Sequence, residues 1–201
     1  MSTHYINYSD GVFLYKDQHF TSQVNGIQNI FKEFLIKEDF DVVIEIGTLF
    51  GGLTYILDDI RKENNLKYEL NSIDISMKPW LEEIFPKLNI NYLQYDENKD
   101  QFHLFIKEKL SQNQKTLVLC DGGHKIYEFN LISPFLKSGD FIMTHDYMYD
   151  YVTFVNKFQD KIWNFFEVKY ADIESSVINN NLQHYTEIDF ENFVWGCFKK
   201  L

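Results

Sequence analysis

Val42-Val43-Ile44-Glu45-Ile46-Gly47-Thr48-Leu49-Phe50-Gly51-Gly52-Leu53-Thr54 is a β-branched run that carries an acid near its end, turns on glycine and enters a segment of helical periodicity. A strand closing in a glycine turn at the start of a helix is how a nucleotide-type cofactor is received at the carboxyl end of a parallel strand. The spacing here is Glu-x-Gly-x-x-x-Gly. The dinucleotide fingerprint Gly-x-Gly-x-x-Gly is absent, which counts against an NAD-type enzyme.

Outward from this stretch, strand and helix patterns alternate. Apolar Val24, Ile27, Ile30, Phe31, Phe34 and Leu35 share one face and predict a helix over 22–37. Strand 42–46 and helix 51–63 follow. The pattern then predicts strand 68–75, a helix over 78–88 interrupted at Pro86, strand 91–94, helix 100–110 and strand 115–120. Beyond these come helix 126–136, closed by Ser138-Gly139, strand 140–144, helix 151–165 and a last strand over 193–198. Residues 166–192 carry no clear pattern. Residues 1–20 read as an N-terminal arm or lid, with His4, Tyr5, Tyr8 and Phe13, and 21–201 as one domain. The alternation predicts an α/β fold with a mostly parallel sheet flanked by helices.

Acids stand at the ends of successive strands: Glu45, Asp74, Asp96 and Asp121, with Asp146 after a fifth. In an open α/β sheet these ends line the ligand crevice. A single acid there reads equally well as a helix cap; five in succession favour a site. Asp74, at the end of the second strand, is placed to bind ribose hydroxyls.

Composition narrows the function classes. With 201 residues and 45% hydrophobic content, the chain can bury a full core. A net charge of −11 argues against sequence-independent nucleic-acid binding. Two cysteines, Cys120 and Cys197, make no disulfide framework. There is no signal-peptide pattern and no run long enough to span a membrane, so the expectation is a cytoplasmic protein. Its oligomeric state, monomer or homo-oligomer, is open.

Taken together, these residues resemble the class I S-adenosylmethionine-dependent methyltransferases, with a Rossmann-like, mostly parallel seven-stranded sheet. Val118-Leu119-Cys120-Asp121-Gly122-Gly123-His124, then Ser138-Gly139-Asp140-Phe141-Ile142, then His145-Asp146 resemble the branch that holds cephalosporin hydroxylase-like and macrocin O-methyltransferase-like proteins. The resemblance implies that Glu45, Gly47, Thr48, Gly51, Gly52, Asp74, Asp96 and Asp121 face S-adenosylmethionine. It also implies that Asp121 and Asp146 hold a divalent metal, usually magnesium. Many metal-dependent relatives have two adjacent acids where this chain has His145-Asp146. With His145 as a ligand, manganese, iron or zinc would suit the site better.

The implied activity is O-methylation of a hydroxyl on a small molecule such as a sugar or natural-product intermediate. The alternative is a metal-dependent hydroxylase-like or binding protein on the same fold. For methyl transfer the protein must align the nucleophile and deprotonate it. His124 and His145 are the candidate catalytic residues. For His124, general base and structural support are both open; for His145, ligand or base and an orienting partner of Asp146. Tyr147-Met148-Tyr149-Asp150-Tyr151 reads as a substrate wall, or as packing under a loop.

Overall fold

The computed structural model describes residues 13–160 and 165–201. In chain order the strands and helices are β1 (Phe13–Tyr15), β2 (His19–Thr21), α1 (Ile27–Glu38), β3 (Val42–Ile46), α2 (Gly52–Glu63), β4 (Glu69–Asp74), α3 (Pro79–Ile84), β5 (Asn91–Gln94), α4 (Asp100–Ser111), β6 (Thr116–Cys120), α5 (Lys125–Ile132), β7 (Phe141–His145), β8 (Tyr147–Met148), α6 (Tyr151–Lys157), β9 (Val168–Lys169), α7 (Tyr170–Asn179), β10 (Leu182–His184) and β11 (Trp195–Lys200). Seven of the strands form one sheet in the order β10-β11-β7-β6-β3-β4-β5. Strands β3 to β7 run parallel, while β11 lies antiparallel between β7 and β10.

The strand sequences explain why this sheet is covered on both faces. β3, β6 and β7 are buried along their whole length, as parallel strands between two helical layers must be. Side chains alternate between the layers. Val43, Leu117, Leu119 and Met143 pack with Phe31, Phe34, Ile56 and Leu57 of α1 and α2. Val42, Ile44, Val118 and Ile142 pack on the other side with Phe102, Ile106, Phe129 and Ile173 of α4, α5 and α7. The chain steps from β3 outward through β4 to β5, then returns to place β6 on the other side of β3. The reversal between β3 and β6 opens a crevice at their carboxyl ends.

Several boundaries differ from the sequence expectation, each for a local reason. α1 starts at Ile27 rather than residue 22, because Gly26 sits at φ 96° and breaks the helical path. α5 ends at Ile132 rather than residue 136, where Pro134 enters a 3-10 turn over Ser133–Phe135. α6 ends at Lys157 rather than 165. The unassigned region 166–192 holds β9, α7 and β10. Of the expected arm, the described part is a β1–β2 hairpin lying on α2, where His19 stacks on Tyr55 at 3.6 Å. His4, Tyr5 and Tyr8 lie outside the described residues.

Candidate active site

At the end of β3 the chain turns on Gly47, at φ +94°. The N–H groups of Gly47 and Thr48 both donate to Ile73 O, at 2.8 and 3.2 Å, which ties the turn to β4. A Cβ on Gly47 would lie 2.2 Å from the Asp121 carbonyl oxygen. Only glycine lets the ends of β3 and β6 approach so closely. Gly51, at φ +84°, then leads into α2. The carboxylate of Asp74 accepts from Leu49 N at 2.9 Å and Ser76 N at 2.9 Å. It therefore braces the glycine turn and keeps lone pairs for a ligand.

A cavity of about 610 Å³ opens over these strand ends. Gly47, Asp74, Tyr95, Glu97, Asp121, His124, Lys125, His145 and Asp146 are among the residues that line it. Gly123, His124 and Lys125 also border a second hollow, of about 660 Å³, with Asn98, Tyr127, Asn130 and Glu167.

Two strand ends and the start of α5 assemble the charged centre. His145 Nδ1 is 2.9 Å from Asp121 Oδ1 and 3.6 Å from Asp146 Oδ2. Lys125 Nζ is 3.2 Å from Asp146 Oδ2 and 2.8 Å from Glu167 Oε2. Burial alone would lower the His145 pKa, but the carboxylates of Asp121 and Asp146 outweigh it and raise it. The same contest raises Lys125, with Glu167 as a third acid. Gln23 orients Asp121 from behind. Its Nε2 donates to Asp121 Oδ2 at 2.8 Å while its Oε1 accepts from Trp195 Nε1 at 2.8 Å. An indole N–H can only donate, so this fixes which end of the amide faces the acid.

Asp121, His145 and Asp146 each offer a ligand atom, all within 4.8 Å of one another. Asp146 Oδ1 is buried and has no hydrogen-bond partner among the described residues. Two carboxylates and an imidazole around an unsatisfied buried oxygen fit a divalent cation.

Of the residues expected to face the cofactor, Gly47, Asp74 and Asp121 line the main cavity, and Glu45, Thr48, Gly51, Gly52 and Asp96 do not. Glu45 points into the fold, where Oε2 accepts from Thr54 Oγ1 at 2.5 Å and Ser72 Oγ at 2.7 Å. Burial pushes its pKa up to about 8 against those two hydroxyls. Thr48 shares a hydrogen bond with Ser72 in the same network. Gly52 faces the hairpin, since a Cβ there would lie 2.3 Å from Phe20 O. Asp96 turns back to accept from Asn98 N at 2.9 Å, and its neighbours Tyr95 and Glu97 line the cavity in its place.

Both candidate catalytic histidines line the cavity. His124 stands at the rim, its side chain 61% exposed, with Nδ1 2.6 Å from Glu97 Oε1. His145 is buried at the centre. Of the stretch read as a substrate wall or as packing under a loop, Tyr147 and Met148 are core residues, and Tyr149, Asp150 and Tyr151 are exposed. Cys120 and Cys197 are buried free thiols.

Lys125, Glu128 and Glu167 went unnoticed in the sequence. Glu128 accepts from the N–H groups of Gly122 and His124, both at 3.3 Å, and so clamps the loop after β6. Burial raises its pKa to about 7, against those two N–H groups and Lys125. The spacing of Glu128 four residues after His124, in the first turn of α5, was the one readable signal.

The family model for rhamnosyl O-methyltransferase/CmcI matches residues 17–192. The chain belongs to that family. It is accordingly an enzyme of the class I S-adenosylmethionine-dependent methyltransferases, an O-methyltransferase by family. No curated protein matches it in sequence. Among solved structures it is similar to an apo structure of CmcI, at 12% identity and TM-score 0.66, covering 100% of this chain and 81% of that one. A CmcI structure with Mg and SAM gives 12% identity, TM-score 0.64 and the same coverage, 100% and 81%. MycE, a methyltransferase of the mycinamycin biosynthetic pathway in complex with Mg and SAH, gives 15% identity and TM-score 0.51, with 88% of this chain and 49% of MycE covered. This chain thus spans about half of MycE. These likenesses share the fold: β5-β4-β3-β6-β7 in parallel, then β11 reversed and β10 at the edge. No helix among the described residues is long and apolar enough to cross a membrane.

Proposed function

We propose that this family member methylates a hydroxyl of a small polar molecule, sugar-like or natural-product-like, with a divalent cation beside the acceptor. The observation that carries the reading is that Asp121, His145 and Asp146 line the same cavity as Asp74 and the Gly47 turn. In this reading the Gly47 turn and Asp74 hold the methionine and ribose parts of S-adenosylmethionine. Tyr95 would border the base. Asp121 and Asp146 would stand at the acceptor end of the bound cofactor.

Methyl transfer is an in-line displacement, so the protein's work is alignment and proton removal. Asp121, Asp146 and His145 would hold the cation, which supplies a Lewis acid that lowers the pKa of an acceptor hydroxyl. His124 takes the proton. Glu97 behind its Nδ1 stabilises the imidazolium that forms, and its exposure lets the proton pass to solvent. The second hollow, with the amides of Asn98 and Asn130 and the Tyr127 hydroxyl, suits a polyhydroxylated acceptor.

We read residues 21–201 as one domain and 1–20 as an arm over it. The net charge of −11 supports a small-molecule rather than a nucleic-acid partner. We place the protein in the cytoplasm, in keeping with its two free thiols, and leave it free to form a homo-oligomer through surfaces outside the cavity.

Isothermal titration with S-adenosylmethionine and S-adenosylhomocysteine tests the cofactor reading, with micromolar binding expected and no binding by either refuting it. The mass of the product distinguishes addition of a methyl group from addition of an oxygen, and the latter would favour the hydroxylase alternative. Activity after chelation and metal return tests the cation. Full activity in the chelated, metal-free protein would remove it from the reading.

A further inference from the structure

Asp146 faces two cation positions at once. Its Oδ2 is held by the ammonium of Lys125 at 3.2 Å. Its Oδ1 is buried without a partner among the described residues, and Asp146 is one of the three residues of the ligand cluster. The same ammonium reaches the second acid, Glu167, at 2.8 Å. The two acids differ in setting. The Asp146 side chain is 8% exposed and the Glu167 side chain 43%. The backbone holds them in register, because the Asp146 carbonyl accepts the N–H groups of Glu167 and Val168 at 3.0 and 3.1 Å.

We infer that Lys125 is a resident cation of the metal site, one that bridges Asp146 and Glu167 while no ion is bound and gives up Asp146, keeping Glu167, when a divalent ion enters. The inference rests on the cation reading proposed above. A carboxylate carries one negative charge, and a divalent ion on it would stand within a few ångströms of the ammonium. Like charges at that range repel strongly in a site with little water. Lysine suits the exchange. It is a point charge on a flexible four-carbon stem, so a small rotation breaks its contact with Asp146 while it stays paired with Glu167. Glu167 is the acid that keeps the ammonium paired after the move, at the wetter end of its reach. Metal affinity is then set by Lys125 and Glu167, neither of which is in the ligand cluster. The unloaded site is also spared an uncompensated buried carboxylate at Asp146, which would be costly.

The two flanking residues should act in opposite directions. Lys125→Met removes the competitor and keeps the bulk of the stem. Glu167→Gln removes the acid that keeps the ammonium and leaves Lys125 committed to Asp146. The experiment is a titration of the purified full chain with Mn²⁺, read by the electron paramagnetic resonance of the free ion, for wild type and both variants. Melting temperature with and without Mn²⁺ confirms that each variant is folded and gives a second measure of binding. Lys125→Met is expected to tighten Mn²⁺ binding at least tenfold and Glu167→Gln to weaken it severalfold. A gain in affinity is not an outcome that damage to the fold can produce. Equal or weaker binding by Lys125→Met, or binding by Glu167→Gln as tight as wild type, overturns the role of Lys125 and leaves the metal site standing. Absence of Mn²⁺ binding in all three folded proteins overturns the cation reading and this inference with it.

Discussion

Gly47 and Gly123 are both glycines of the cavity lining, and alanine should have opposite consequences at the two. Gly47 sits at φ +94°, in the left-handed region, and an added Cβ would stand 2.2 Å from Asp121 O, 2.5 Å from Asp121 C and 2.7 Å from Gly122 N. All three are backbone atoms of the neighbouring strand end, so none can swing away. The left-handed conformation alone costs an alanine ~1–2 kcal/mol. Forcing the two strand ends apart by roughly 1 Å adds an overpacking cost of ~1–3 kcal/mol. The sum, about 2–5 kcal/mol, corresponds to a melting temperature lower by roughly 5–15 °C for a domain of this size. Gly123 is different. Its φ lies outside the left-handed region, and an added Cβ meets nothing within 4 Å. Gly123→Ala should melt within about 2 °C of wild type, with any change tending upward because alanine restricts the unfolded chain. Thermal unfolding of the two variants beside wild type is the assay, with S-adenosylhomocysteine titration to follow the site. If Gly47→Ala melts with wild type, or Gly123→Ala falls as far as Gly47→Ala, the close approach of β3 and β6 at Gly47 is refuted.

Other consequences follow from single contacts. On the proposed reading Asp74→Ala removes a charged acceptor from the ribose, and losing a hydrogen bond to a charged group costs ~1.5–3 kcal/mol; S-adenosylhomocysteine affinity should fall about 10- to 100-fold by calorimetry, and unchanged affinity would remove Asp74 from the ribose. Glu45, with a folded pKa of about 8, gives a pH signature. Between the ordinary carboxylate pKa and 8 the unfolded state ionises and the folded state does not, so stability is greatest on the acid side and falls as pH rises through that window, by ~1.4 kcal/mol per pH unit at most. Glu45→Gln should flatten this decline in denaturant titrations across the window; an identical slope in both proteins would show Glu45 to be ionised in the fold. Gln23→Leu deletes the donor that orients Asp121, and such outer contacts typically govern metal affinity by ~10–100-fold. A Mn²⁺ dissociation constant equal to wild type would show that Asp121 needs no orienting.

What the sequence shows of this protein, and what it hides, follows from how each group is positioned. The β3 stretch was readable to the residue because β-branched side chains buried on both faces and a glycine turn leave few other conformations. Asp74, Asp121 and Asp146 were readable for the same reason: parallel topology dictates where strand ends lie, and the acids sit on or next to them. Glu45 is one residue further inside its strand than Ile46, so strand alternation turns it into the α1–α2 layer beside Thr54 and Ser72, away from the cavity. Asp96 does not line the cavity; a short polar side chain in a turn bonds its own backbone, here Asn98 N. Tyr147 is buried because Gly196, on the neighbouring strand, leaves room for its ring; a Cβ at Gly196 would lie 2.7 Å from it. No pattern near Tyr147 announces a glycine 49 positions away. The counter-charges are the least legible of all. Lys125 and Glu167 meet over a separation of 42 residues through long side chains, and periodicity carries no information about which way such a chain leans. In this site the acids on strand ends are fixed by topology and can be read, while the charged groups that reach in from other elements appear only when the chain is folded.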